Sequence, residues 1–132
     1  MSQSQPIQIA GGGVAGLALG IGLRRYDIPV TVHEAGHYPR HRVCGEFIYG
    51  HGLDTLKTFG LDERLHNAGA RIAETVAFHD RERTVGPLAL PSPAVCLSRF
   101  TLDQLLAEEF RRLGGEILEG SRMERNAAEG MV

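Results

Sequence analysis

Cysteine is scarce in this chain of 132 residues: there are two, Cys44 and Cys96, far apart and without a Cys-x-x-Cys pair. That spacing argues against a disulfide framework or a zinc site and fits a reducing cytoplasm. An excess of one charge is lacking too. Fourteen Lys and Arg against sixteen Asp and Glu leave a formal charge of −2, so nothing resembles the basic footprint of a nucleic-acid binder. No stretch reads as a membrane span. The uncharged run from Ile7 to Leu23 is too short and too glycine-rich to cross a bilayer, and no basic residues precede it as they would in a signal peptide. Internal repeats and low-complexity segments are absent. The expectation is a single soluble, unexported domain, large enough to bury a real core.

Glycine is what the chain has instead. Six glycines fall between Ala10 and Leu23, just after the short apolar run Pro6 to Ala10. Val14, Leu17, Ala18, Ile21 and Arg25 then share one helical stripe, and Asp27-Ile28-Pro29 turns the chain into the β-branched segment Val30 to Glu34. The order strand, glycine turn, helix, strand predicts a βαβ unit with parallel strands and a right-handed crossover. Gly11, Gly13 and Gly16 match G-x-G-x-x-G. The first permits the tight turn, the second lets a pyrophosphate approach the backbone, and the third brings helix and strand together. The phosphates would sit on the N–H groups of Val14, Ala15 and Gly16 at the positive end of the helix. Gly20, one turn beyond Gly16, extends the close packing on that face; the pattern supplies no reason for Gly22. Glu34 stands 23 positions after Gly11, near the spacing of an acid that binds ribose hydroxyls and repels a 2′-phosphate. These residues predict dinucleotide binding without separating NAD from FAD.

Further along, Leu53, Leu56 and Phe59 suggest a short helix stopped by Gly60, with Asp62 as a cap for another turn through Ala68. Glu74 to His79 and Thr84 to Leu90 read as a strand pair, and Pro87, Pro91 and Pro93 make residues 74–97 edge or connection rather than central sheet. Thr101 with Gln104 forms a capping box, and Phe100 with Leu105 a hydrophobic staple. They predict a helix over 102–113, ended by Gly114-Gly115 and followed by a third parallel strand at 116–119 beside the first two. His37 and His41 have i, i+4 spacing, but Pro39 lies between them and no further ligand completes a set, so no metal is assigned. No nucleophile elbow or acid–base dyad is recognisable, and no catalytic residue is named.

The loop Tyr38-Pro39-Arg40-His41-Arg42-Val43-Cys44-Gly45-Glu46-Phe47 resembles the one after the second strand in FAD-dependent oxidoreductases of the geranylgeranyl reductase type, relatives of aromatic hydroxylases (monooxygenases) and flavin halogenases. Cys96-Leu97-Ser98-Arg99 followed by Leu102-Asp103 is similar to the segment where such enzymes place a flavin-contacting arginine before a helix. The likeness covers roughly residues 6–47 and 95–119, with a helix and β insertion between them. It implies a Rossmann-like α/β fold of the FAD-binding type. It further implies that Gly11, Gly13, Ala15 and Gly16 hold the pyrophosphate and Glu34 the adenosine ribose. Arg42, Cys44 and Gly45 would line the cofactor, and Arg99 would reach its phosphates or ribityl chain. A guanidinium suits a pyrophosphate through its paired donors. In such enzymes the flavin carries the chemistry, NAD(P)H is the electron donor and the substrate is a small organic molecule.

Length is the main departure. The family resembles itself over a longer chain with a later Gly-Asp motif and a substrate-binding sheet, and the tryptophan-bearing motifs of halogenases and prenyl reductases are missing because there is no tryptophan. The expectation is therefore an N-terminal portion, too short for turnover by itself. The alternatives are a non-catalytic dinucleotide-binding module and, third, an NAD-dependent dehydrogenase, which would leave Arg99 and the Arg-Val-Cys-Gly-Glu loop unexplained.

Overall fold

The computed structural model describes residues 5–44 and 46–124. They divide into two compact units: Met1–Arg40 with Asp103–Val132, and His41–Leu102.

In the first unit, strand β1 (Ile7–Ala10) runs into helix α1 (Val14–Arg24) and then strand β2 (Val30–Glu34). The βαβ unit forms as the glycine and β-branched pattern requires. β1 and β2 are parallel, with Ile7 opposite Val30 and Ala10 opposite His33. Strand β6 (Glu116–Glu119) joins the same sheet in parallel, but it pairs with β2, giving the order β1-β2-β6. The third strand expected beside the first two thus lies next to β2 and makes no pairing with β1. The middle position suits β2, where Val30, Thr31, Val32 and Glu34 are all buried, as expected of a strand covered on both faces. Cross-strand bonds reinforce the order. Thr31 Oγ1 donates to Glu116 Oε2 at 2.9 Å, and the His33 ring bridges Gln8 Oε1 (2.7 Å) and Ser121 Oγ (2.9 Å).

Helix α4 (Arg99–Arg112) starts three residues before the predicted boundary. Ser98, not Thr101, is the cap: its hydroxyl accepts the Thr101 N–H at 3.2 Å and meets Thr101 Oγ1 at 3.0 Å. With Thr101 inside the first turn, Gln104 bonds Glu108 instead, at 2.8 Å, and the capping box does not form. Residues 103–112 of α4 belong to the first unit, where Leu105, Leu106, Ala107 and Phe110 form the buried stripe.

Phe110 explains two glycines at once. A Cβ on Gly20 would lie 2.8 Å from its Cε2, and a Cβ on Gly115 would strike the ring tip. Gly20 thus admits α4 against α1, where the sequence suggested a closer approach to the strand. Gly22 has open space on its Cβ side, so no contact requires it. Arg24 ties the far end of α1 to the residue that follows α4, its Nε donating to Leu113 O at 2.9 Å.

The second unit holds strand β3 (Phe47–Ile48), helices α2 (His51–Thr58) and α3 (Asp62–Asn67), and strands β4 (Arg71–His79) and β5 (Thr84–Cys96). These strands form an antiparallel sheet in the order β3-β5-β4. β5 is central only at its end, because β3 pairs with Val95 and Cys96 alone. All three prolines fall where its ladder with β4 skips: Pro87 between Val85 and Leu88, and Pro91 and Pro93 between Ala89 and Ala94. Residues without an N–H are tolerated there because no ladder bond is asked of them. Among the described residues no helix is long and apolar enough to cross a membrane, and no group of three His, Cys, Asp or Glu is placed to hold a metal.

Candidate functional site

The site grows out of the end of β1. Gly11 takes φ +98°, a conformation that a side chain would strain, and its N–H donates to His33 O at 2.8 Å. Gly13 precedes α1 in extended geometry, and no side chain caps the helix. The N–H of Leu17 finds Gly13 O at 2.9 Å, whereas those of Val14, Ala15 and Gly16 belong to the first turn, which has no intrahelical acceptor to offer. No acid lies in that turn. A Cβ on Gly16 would collide with the Gly11 carbonyl and approach Ile9 Cγ2 to 3.3 Å, so the third glycine is required by helix–strand contact. The result is a bare, positively polarised helix end beside a turn free of side chains.

Glu34 closes the other side. Its carboxylate is 2 % exposed, and it accepts the Gly36 N–H at 2.7 Å and the Gly12 N–H at 3.0 Å while pairing with Arg40 at 2.5 Å. Burial alone would raise its pKa. The Gly36 N–H, the Arg40 guanidinium and the Gly12 N–H outweigh that and hold it below the ordinary carboxyl value, so the group is ionised.

The sequence reading gives no role to three residues of this arrangement: Gly12, and Tyr38 and Arg40 of the loop that carries the resemblance. The Tyr38 hydroxyl donates to Gly12 O and would collide with a Cβ on Gly12. Burial, then the charges of Glu34 and Asp103, push its pKa up, keeping it a phenol and a donor. The extra glycine within G-x-G was the available signal for Gly12. No spacing rule marks Tyr38 or Arg40, which lie in a loop whose course depends on β6: Gly120 N–H donates to Gly36 O and Ser121 N–H to Glu34 O.

Gly11, Gly13, Val14, Ala15, Gly16 and Glu34 are therefore brought together in one unit. Arg42, Cys44 and Arg99 lie in the other, and Gly45 lies outside the described residues. Within that second unit the exposed Cys44 thiol is held below its usual pKa by the Glu46 N–H and then by the Arg99 guanidinium, which links two of the expected residues. The His41 and Phe100 rings meet at 4.7 Å, joining the cysteine loop to the start of α4. A separate cavity of about 440 Å³, bordered by Leu53, Lys57, His66 and Ile72, contains none of the expected site residues.

A glycine turn feeding an uncapped helix, and a buried acid ending the adjacent parallel strand, define a Rossmann-like nucleotide-binding fold. The chain belongs to the FAD binding domain family, whose model matches residues 4–131. Similar solved structures include the tetrameric form of 2-methyl-3-hydroxypyridine-5-carboxylic acid oxygenase, 24 % identical with a TM-score of 0.79 over 92 % of this chain and 33 % of that one. A flavin-dependent brominase is 23 % identical, with a TM-score of 0.72 over 85 % of this chain and 28 % of its own. A probable FAD-dependent monooxygenase from Pseudomonas aeruginosa is 18 % identical, with a TM-score of 0.74 over 92 % of this chain and 35 % of its own. No curated protein matches the chain. The chain thus spans about a third of the length of the solved proteins it resembles.

Proposed function

We propose that this chain is the ADP-binding portion of an FAD-dependent oxidoreductase of the hydroxylase, halogenase or alkene-reductase kind. The supporting observation is the bare N-terminus of α1 beside the ionised, buried Glu34. A pyrophosphate fits there because N–H donors and the helix field favour an anion, and because Gly11 and Gly13 bring no side chain into its path. Val14, Ala15 and Gly16 would donate to it. Glu34 would accept the ribose hydroxyls, with Arg40 sharing or yielding its place on Oε1. Bound FAD would supply the redox chemistry of the intact enzyme, with NAD(P)H as donor and a small organic molecule as substrate.

Arg42, Cys44, Gly45 and Arg99 are assigned to the flavin-side contacts, Arg99 through the paired donors that a phosphate accepts. The family match and the resemblance of the Arg-Val-Cys-Gly-Glu loop favour FAD over NAD. Isothermal calorimetry of the folded chain against FAD, ADP and NAD tests the reading. FAD and ADP should bind, and replacing Gly13 by valine should abolish the signal. A folded chain that binds none of the three would refute it.

A further inference from the structure

Gly12 is held on every side. Its N–H donates to Glu34 Oε2 at 3.0 Å, its carbonyl accepts the Tyr38 hydroxyl, and a Cβ would collide with that hydroxyl and lie 3.1 Å from Glu34 Cβ. Tyr38 is itself fixed from the far end of the sheet. Its N–H donates to Glu119 Oε2 at 3.1 Å, and the Arg111 guanidinium stands 5.8 Å over its ring while pairing with Glu119 Oε1 at 2.5 Å. His37 Nδ1 adds a contact to Glu119 at 3.3 Å. The last residue of β6 and the last turn of α4 therefore aim one phenol at one carbonyl.

We infer that Tyr38 is a positioning residue for the dinucleotide, setting the direction of the Gly13 N–H by holding the Gly12 carbonyl. In a trans peptide the C=O and the following N–H point in opposite directions, so fixing the Gly12 oxygen on Tyr38 turns the Gly13 N–H away from Tyr38. Rotation of that plane is the soft degree of freedom of a glycine-rich turn. The hydroxyl removes it before any ligand arrives, which lowers the ordering cost of binding. Gly12 is then glycine for a reason separate from the approach of the phosphate: its Cβ position is taken by the phenol. The inference rests on the dinucleotide reading above and adds to it a residue outside the glycine pattern.

A double-mutant cycle on the full chain tests it, using Tyr38→Phe, Gly12→Ala and the two combined. FAD affinity is read by flavin fluorescence, the thermal midpoint checks folding, and amide hydrogen exchange is followed at residues 12–16. Tyr38→Phe keeps the ring under Arg111 and loses only the donor. Its FAD affinity should fall about three- to tenfold, the effect of one neutral hydrogen bond. Exchange at residues 12–14 should rise while that of β2 is unchanged, which a general loosening of the fold would not produce. Gly12→Ala should bind far more weakly than wild type. Adding Tyr38→Phe should recover part of that loss, since removing the oxygen opens room for the Cβ. If Gly12→Ala does not fold, the Tyr38→Phe titration and exchange pattern decide. Wild-type FAD affinity and unchanged exchange in Tyr38→Phe would overturn the inference, as would an equal cost of Gly12→Ala in both backgrounds. A wild-type chain that takes up no FAD marks the failure of the dinucleotide reading itself, and it overturns the positioning role with it.

Discussion

Alanine at Gly20 and at Gly22 should change stability in opposite directions, although the two positions are two residues apart in one helix. Both changes gain intrinsic helix propensity, about 0.8–1.0 kcal/mol. At Gly22 the new methyl meets open space, so the whole gain should appear as added stability. At Gly20 the methyl would stand 2.8 Å from Cε2 and 3.1 Å from Cδ2 of Phe110. That ring is fully buried, and Gly115 blocks its tip, so it has little room to retreat. Overpacking a tight core costs about 1–3 kcal/mol. Subtracting the propensity gain leaves a net loss of up to about 2 kcal/mol, and a gap of about 1–3 kcal/mol between the variants. Thermal unfolding followed by circular dichroism can read this, since each kcal/mol moves the midpoint by roughly 3–5 °C in a chain of this size. A Gly20→Ala protein stabilised as much as Gly22→Ala would refute the packing of α4 on α1 through that glycine.

Acid should weaken the fold through Glu34 and Glu119. Burial raises both, but Gly36 N–H, Arg40 and Gly12 N–H lower Glu34 further, as Tyr38 N–H, Arg111 and His37 lower Glu119. The folded values lie below the ordinary 4.5, so their contribution is complete above that pH and is lost as pH falls through the lowered values. Urea midpoints measured from neutral pH downward should decline below 4.5, and Glu119→Gln should flatten part of the decline. Ser98→Ala should cost about 1 kcal/mol as a lost N-cap, while Thr101→Ala should cost less; the reverse order in urea titrations would restore the capping box. Arg99→Ala should weaken FAD retention by about 1.5–3 kcal/mol, with Arg99→Lys recovering part of it. Flavin content of purified variants measures this, and full retention in a folded Arg99→Ala protein would make Arg99 a surface charge.

The βαβ unit was legible because its signals are local. Glycine spacing, the apolar stripe of α1 and the β-branched run of β2 each act within a few residues of themselves. Glu34 was legible because it ends that strand at a fixed distance from Gly11. The choice of neighbour for β6 was not, because strand order depends on which strand is buried on both faces, a property of the assembled sheet. Gly20 needed Phe110, 90 positions away, for its explanation. The start of α4 was a competition between two hydroxyls, and Ser98 took the cap while Thr101 also matched a known pattern. Tyr38 and Arg40 were hidden for a related reason. Their role comes from the path of a loop anchored to Glu119 and Gly120, and a loop path has no periodicity to read.

The proposed function has the glycine turn and Glu34 receive the ADP half of FAD. The most direct measurement is a titration of isotopically labelled chain with ADP, following each backbone amide by NMR. Saturable shifts should concentrate at Gly11 to Gly16 and at Glu34 to Gly36, and should be lost in Gly13→Val. Saturable shifts centred elsewhere, or none at millimolar ADP with the fold intact, would contradict it.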